Sequence, residues 1–192
     1  MMKPFYGVLV LLALLLTGCS TSKVPTHLYV LPLEKSNLTV SVNSQLPIVM
    51  VKEVVLPEYL NDRSLVYRVS DSQIVQAKKH LWADKISSQI TQKIISGLQT
   101  KLSGFRPTSY KISDKHSAYA EISIQLNLFN GSFEGVAEVS GTLEVKYLSE
   151  RPAVIEPFSF SIPLDTDGYP ALVGALSNGV DQLTLKIAST FE

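Results

Sequence analysis

Two stretches of strict alternation, "AYAEISIQLNLF" and "GVAEVSGTLEVKY", constrain this chain more than any other feature. In the first, Ala120, Ile122, Ile124, Leu126 and Leu128 fall on one side, with Glu121, Ser123, Gln125 and Asn127 on the other. In the second, Ala137, Val139, Leu143, Val145 and Tyr147 oppose Glu138, Ser140, Thr142, Glu144 and Lys146. A period of two belongs to strands with one dry face and one wet face, the pattern of antiparallel sheets. "NGSFEG" between them supplies the Asn and Gly of a hairpin connection. A third strand, "AVIEPFSFSIPL", carries Pro157, which suits an edge or a bulge.

Further strands precede these. "HLYVLPL" places Tyr29, Leu31 and Leu33 on one face. "LPIVMVKEVVLP" is nearly continuous in apolar character, which predicts a central strand buried on both faces. "SLVYRVS" and "SQIVQA" read as a hairpin through Ser70-Asp71, and "EKSNLTVSVNSQ" as a polar loop. Two helices are expected. One runs from about Leu81 to Leu102, with Trp82, Ile86, Ile90, Ile94, Leu98 and Leu102 in one stripe. On this reading Trp82 anchors the first turn, Gln89, Gln92, Lys93 and Ser96 face outward, and His80 with Lys78 and Lys79 forms a solvated patch before the helix. "SGFRP" breaks it. The last segment carries Leu172, Leu176, Val180, Leu183 and Ile187 on one stripe, with Pro170 in its first turn. Gly174 and Gly179 weaken that helix, so packing must hold it. The expected architecture is α+β: a mostly antiparallel sheet with two helices packed on one face.

The N-terminus says where such a domain works. The apolar run Phe5 to Leu16 spans roughly 18 Å as a helix, short of the roughly 30 Å bilayer core. Lys3 ahead of it and small residues after it mark an export signal. Leu16-Thr17-Gly18-Cys19 resembles the lipobox of bacterial lipoproteins, in which the thiol is diacylated and the chain is cut just before the cysteine. Cys19 is the only cysteine, so no disulfide framework exists. The expected division is 1–18 signal peptide, 19–27 lipidated Cys19 and tether, and 28–192 folded domain. In Gram-negative lipoproteins an Asp after the cysteine commonly retains the protein in the inner membrane; Ser20 here implies the periplasmic face of the outer membrane.

Losing Lys3 leaves a formal charge near −1, and no basic stripe runs along the chain, so nothing points to nucleic acid. His27, His80 and His116 lack partners at metal spacing, and no cofactor motif occurs. Ser20-Thr21-Ser22-Lys23 matches S-x-x-K only formally. Asp165-Thr166-Asp167-Gly168 opens like a calcium loop, yet Leu176 stands where that loop needs Glu. No catalytic residue, metal or cofactor is expected. The polar face with Gln125, Asn127, Ser140 and Thr142 is either a solvent surface or a protein-contact surface.

After the lipobox come "YVLP", "VVLPEYL", "LVYRVS", "HLWADKISSQI", "LFNGSFEGVAEVSG" and "DTDGYPALVGALSNGVDQL". In this order they resemble the PqiC/YmbA family of ABC-type transport auxiliary lipoproteins, over essentially the whole mature chain. The resemblance implies a non-enzymatic outer-membrane subunit of a Pqi-type system. Its partner would be a periplasm-spanning MCE-domain (PqiB-like) protein, its cargo phospholipid, and its role envelope integrity. A periplasmic module that binds lipid or a small molecule in its own cavity, or a hydrolase without a known motif, are the alternatives. A ring-forming partner favours a cyclic homo-oligomer with head-to-tail contacts. The expected contact elements are the hairpin tip, with Phe129, Asn130, Gly131 and Phe133, and the loop before the last helix, with Asp167 and Tyr169.

Overall fold

The computed structural model describes residues 25–33, 46–110 and 118–192. The expected signal peptide, Cys19, Ser20 and the polar loop 34–45 lie outside the described residues. The elements, in chain order, are β1 (His27–Tyr29), β2 (Ile48–Val51), a 3-10 turn (Glu58–Leu60), β3 (Ser64–Ser70), β4 (Gln73–Trp82), α1 (Ile86–Lys101), β5 (Arg106–Ser109), β6 (Ala118–Ser132), β7 (Val136–Tyr147), β8 (Val154–Pro163) and α2 (Tyr169–Ser189). The expected α+β class holds: an eight-stranded, mostly antiparallel sheet with two helices.

β6 organises the sheet. One edge pairs antiparallel with β7 along its whole length, and β7 pairs antiparallel with β8, which is an edge strand as Pro157 requires. The other edge of β6 carries two groups. Near Ala118 it pairs parallel with β2, which pairs in turn with β5. Near Ser132 it pairs parallel with β3, followed by antiparallel β4 and parallel β1. All four residues of β2 are buried, as its continuous apolar character predicts. The apolar faces of β6 and β7 meet the buried stripe of α2: Leu172, Leu176, Val180, Leu183 and Ile187.

Close approach holds the helices where propensity does not. A Cβ on Gly179 would stand 2.6 Å from Val139 Cγ2, and one on Gly97 would stand 2.8 Å from Thr184 Cγ2. Both glycines let backbone come near a neighbour. Gly174 has open space beside it.

Four expectations need correction. Trp82 does not open a helix. It ends β4, where Tyr29 lies opposite it, and its amide donates to the Arg63 carbonyl at 2.6 Å. Trp82 and Ile86 are four apart, so they continue the stripe on paper, but backbone pairing with β1 keeps the chain extended to Trp82 and α1 starts at Ile86. His80, Lys78 and Lys79 therefore lie in a strand. "SGFRP" does not only break: β5 begins at Arg106 through pairing with β2. In β6 a bulge between Leu126 and Leu128 shifts the phase, so Phe129 rather than Leu128 enters the core.

Lys93 is the fourth. It is 4% exposed, because α1 turns that face toward α2 and the chain after β1. Its Nζ lies 2.7 Å from Asp181 Oδ1 and donates to the Pro32 carbonyl at 2.9 Å. Removing one partner of a buried pair strands the other charge, which costs about 3 kcal/mol or more. Replacing the buried cation by an apolar residue of similar volume costs far less. Asp181→Ala is therefore expected to lose about 3 kcal/mol in urea unfolding, and the double variant Lys93→Met with Asp181→Ala to recover most of it.

Candidate functional site

The elements at the Ser132 end of β6 come together as one surface. The β6–β7 turn is short: Gly135 adopts φ +75°, a left-handed conformation that glycine takes without strain, and its amide donates to the Ser132 carbonyl at 3.0 Å. The Phe133 amide donates to the Arg68 carbonyl at 2.9 Å, which ties this turn to β3. Leu164, just past β8, donates its amide to the Gly135 carbonyl at 3.1 Å. Gly168 (φ +106°) reverses the chain, and Pro170 sits in the first turn of α2. The β6–β7 turn and the loop 164–168 thus lie side by side. With Tyr67, Tyr169 and Leu172 they line an open cavity of about 450 Å³.

Two side-chain groups shape this end. On the polar face, Arg68 donates from Nε to Glu138 Oε2 at 3.0 Å and pairs with Oε1 through its terminal nitrogen. Asn130 Nδ2 donates to the same carboxylate at 3.0 Å. The Arg68 guanidinium stands 5.4 Å from the Phe133 ring centroid, a cation–π contact that props up the exposed ring. On the helix side, the His80 ring stacks on Tyr169 at 3.8 Å and on His27 at 5.0 Å, and its Nδ1 is hydrogen-bonded to the Tyr29 hydroxyl at 2.8 Å.

Burial first, and then the neighbouring His27, push the His80 imidazole below its usual value. Burial, and then Tyr169, push the Tyr29 phenol up. The folded protein therefore binds fewer protons at His80 than the unfolded chain does. Stability from this group is present above the unfolded histidine value of about 6.5 and is lost as pH falls through the lower folded value. Thermal unfolding followed from pH 8 to pH 5 is expected to show the melting temperature falling below about pH 6.5. His80→Phe, which keeps the ring stack, is expected to flatten that part of the profile.

The expected contact residues divide. Phe133 is 46% exposed, Asp167 is exposed, and Tyr169 is half-buried; Asp167 and Tyr169 line the cavity. Phe129 is 2% exposed and packs on Trp82, with ring centroids 6.2 Å apart, because the bulge turns it inward. Asn130 is buried on Glu138, and Gly131 is buried where a Cβ would meet the Tyr67 ring and Leu172. These three shape the end from within. Sequence reasoning missed Tyr29 and the stacking of His27 and His80, which only the β1–β4 pairing brings together, and Tyr67, which the β3–β6 pairing places opposite Gly131. Among the described residues no group of three His, Cys, Asp or Glu could hold a metal, and no helix is long and apolar enough to cross a membrane.

An α+β domain with a gathered loop surface at one end of its sheet is thus the unit to compare. The family model of the ABC-type transport auxiliary lipoprotein component matches residues 29–188, and the chain belongs to that family. It is 28% identical to the intermembrane transport lipoprotein PqiC of Escherichia coli (strain K12) over 176 residues, 92% of this chain and 91% of that protein. The PqiC of Shigella flexneri matches to the same extent. Among solved structures, an uncharacterized protein superposes with TM-score 0.76 at 24% identity, covering 88% of this chain and 100% of that one. A Xanthomonas campestris protein superposes with TM-score 0.63 at 10% identity, covering 83% and 91%. These two show the fold.

Proposed function

We propose that this protein is the outer-membrane lipoprotein subunit of a Pqi-type intermembrane lipid transport system. In this role it docks the periplasm-spanning MCE-domain protein and supports envelope integrity, without catalysing a reaction. The observation that carries the reading is the end-to-end likeness to an intermembrane transport lipoprotein. Two features support it independently: the lipobox ending in Cys19, and Ser20 rather than Asp in the position after it. A cyclic homo-oligomer would match a ring-shaped partner. Phe133, Asp167 and Tyr169 lie at one end of the domain, so together they can supply at most one face of a head-to-tail ring, which needs a second, different face elsewhere.

Affinity purification of the tagged, acylated protein from detergent-solubilised membranes tests this. The expected result is recovery of the MCE-domain protein. Recovery of lipid without any such partner would favour the second reading, a module that binds a lipid or small molecule itself. The cavity of about 450 Å³ is the observation on its side, within the usual range of about 300–1,000 Å³ for small-molecule sites. Ser20→Asp is expected to move the protein to inner-membrane fractions with its circular dichroism unchanged. Unaltered fractionation would show that Ser20 does not govern sorting.

A further inference from the structure

The direction in which the chain enters β1 decides which end of the domain can meet a bilayer. β1 runs parallel to β4, with His27 opposite His80. Pro25 and Thr26 therefore enter β1 from the side of Lys79 and Lys78, the side of the β3–β4 turn. Leu81 lies opposite Ser64, and Tyr67 opposite Gly131. His27 thus stands about level with Phe129 in β6. From that level to Ala118 is about eleven residues of strand, roughly 36 Å at about 3.3 Å per residue. The seven-residue tether Ser20 to Thr26 reaches roughly 25 Å when fully extended. An acyl group on Cys19 cannot bring the Ala118 end to the membrane. The opposite end lies only about 15 Å above His27, by the same rise, and is within reach.

That reachable end carries exposed apolar side chains. Val69 is 38% exposed, Ile74 41%, and Val75 and Phe133 46% each. They sit on neighbouring segments and on both faces of the sheet end: Val75 is opposite Tyr67 on the cavity side, and Ile74 is opposite Arg68, whose guanidinium lies over Phe133, on the other. The cavity beside them is lined partly by Tyr67, Leu164 and Leu172. The charges around the patch are mixed. Asp71, Glu134, Glu138, Asp165 and Asp167 stand with Arg68, Lys78 and Lys79, and Arg68 is paired with Glu138 and Asp71. Such a rim gives no pull toward anionic lipid and suits a zwitterionic surface.

We propose that this end is a lipid-contacting surface. The β3–β4 turn, the β6–β7 turn and the loop 164–168 rest on the headgroups of a zwitterionic phospholipid leaflet, and Val75 and Phe133 dip below them. The other end of the domain, where the rings of Phe105, Tyr119, Tyr147 and Phe191 meet, faces away from the membrane. The assignment rests on the acylation of Cys19. It gives to lipid an end that would otherwise supply a contact between copies.

The test uses the mature acylated protein in vesicles of phosphatidylcholine and phosphatidylethanolamine. Acylation consumes the native thiol, so Val75→Cys, Phe133→Cys and, as a distal control, Leu148→Cys can each carry one environment-sensitive fluorophore. All three positions are exposed, and circular dichroism checks the fold. Labels at 75 and 133 are expected to shift to the blue and to be quenched by lipids brominated on their acyl chains, equally at low and high salt. The label at 148 is expected to do neither. Absence of quenching at 75 and 133 in protein that floats with the vesicles overturns the surface and leaves the lipoprotein reading standing. Protein that fails to float overturns the acylation, and the surface with it. A label at 133 that is shielded in detergent solution and untouched by brominated lipid assigns this end to a second copy and also overturns the proposal.

Discussion

Cys19→Ser is expected to leave the domain folded and to abolish its membrane attachment, either as a released protein or as a full-length precursor that is never processed. The thiol is the group that would be alkylated, and no second cysteine can replace it. Serine keeps the size but lacks the nucleophile. The expected effect is large because anchoring scales with buried methylene groups, at about 0.8 kcal/mol each, and two or more chains hold where one binds reversibly. Membrane flotation and the electrophoretic mobility of the processed form read the outcome. A variant that is still processed normally and still floats with outer-membrane vesicles would show that Cys19 is not the anchor. Circular dichroism separates this from unfolding. The folded domain, as described, begins after Cys19, so its core does not depend on the anchor.

What could be read from the residues depended on how local the signal was. β6, β7 and the stripe of α2 were legible because a single face of each element meets the core, and the period of that face survives in the sequence. β8 was legible as an edge through Pro157, which cannot donate to a neighbour. The boundary between β4 and α1 was not. Trp82 and Ile86 satisfy a helical stripe and a strand end equally, and only the pairing of Tyr29 with Trp82 decides between them. β5 carries no pattern over its four residues; it exists because β2 offers an edge. Lys93 looks like a surface lysine until Asp181, on the other helix, is brought beside it. At the candidate site, "DTDGY" was legible as a turn from its Gly and Asp, whereas "NGSFEG" was legible only in part: Asn130, Gly131 and Ser132 continue β6 by pairing with β7, and the turn is Phe133 to Gly135. That the two turns share one cavity follows from the order of strands, which no local pattern carries. The same holds for His80, whose neighbours Lys78 and Lys79 suggested solvent, while its ring lies on Tyr169.

Gly141→Ala is the substitution within the fold expected to cost most. Gly141 lies in the middle of β7, a position where glycine lowers strand stability unless another backbone needs the space. Here it does. Leu126 pairs with Gly141 and Leu128 with Ser140, so Asn127 is the extra residue of a bulge, and β6 bends toward β7 at that point. A Cβ on Gly141 would stand 2.9 Å from Leu126 Cα and 3.0 Å from the Gln125 carbonyl carbon, with the carbonyl oxygen nearer still. These are backbone atoms and cannot swing aside as a side-chain tip would. Relief requires the bulge to move, and the bulge is what turns Phe129 inward onto Trp82. The substitution therefore strains the sheet and loosens the core contact together. The expected loss is about 3 kcal/mol or more in urea unfolding, at the upper end of overpacking effects. Gly174→Ala supplies the control. That position is exposed on α2 with nothing within 4 Å of the added carbon, so alanine is expected to raise stability by about 0.5–1 kcal/mol. If Gly141→Ala unfolds at the same urea concentration as the parent protein, β6 does not approach β7 as described, and the inward turn of Phe129 needs another cause.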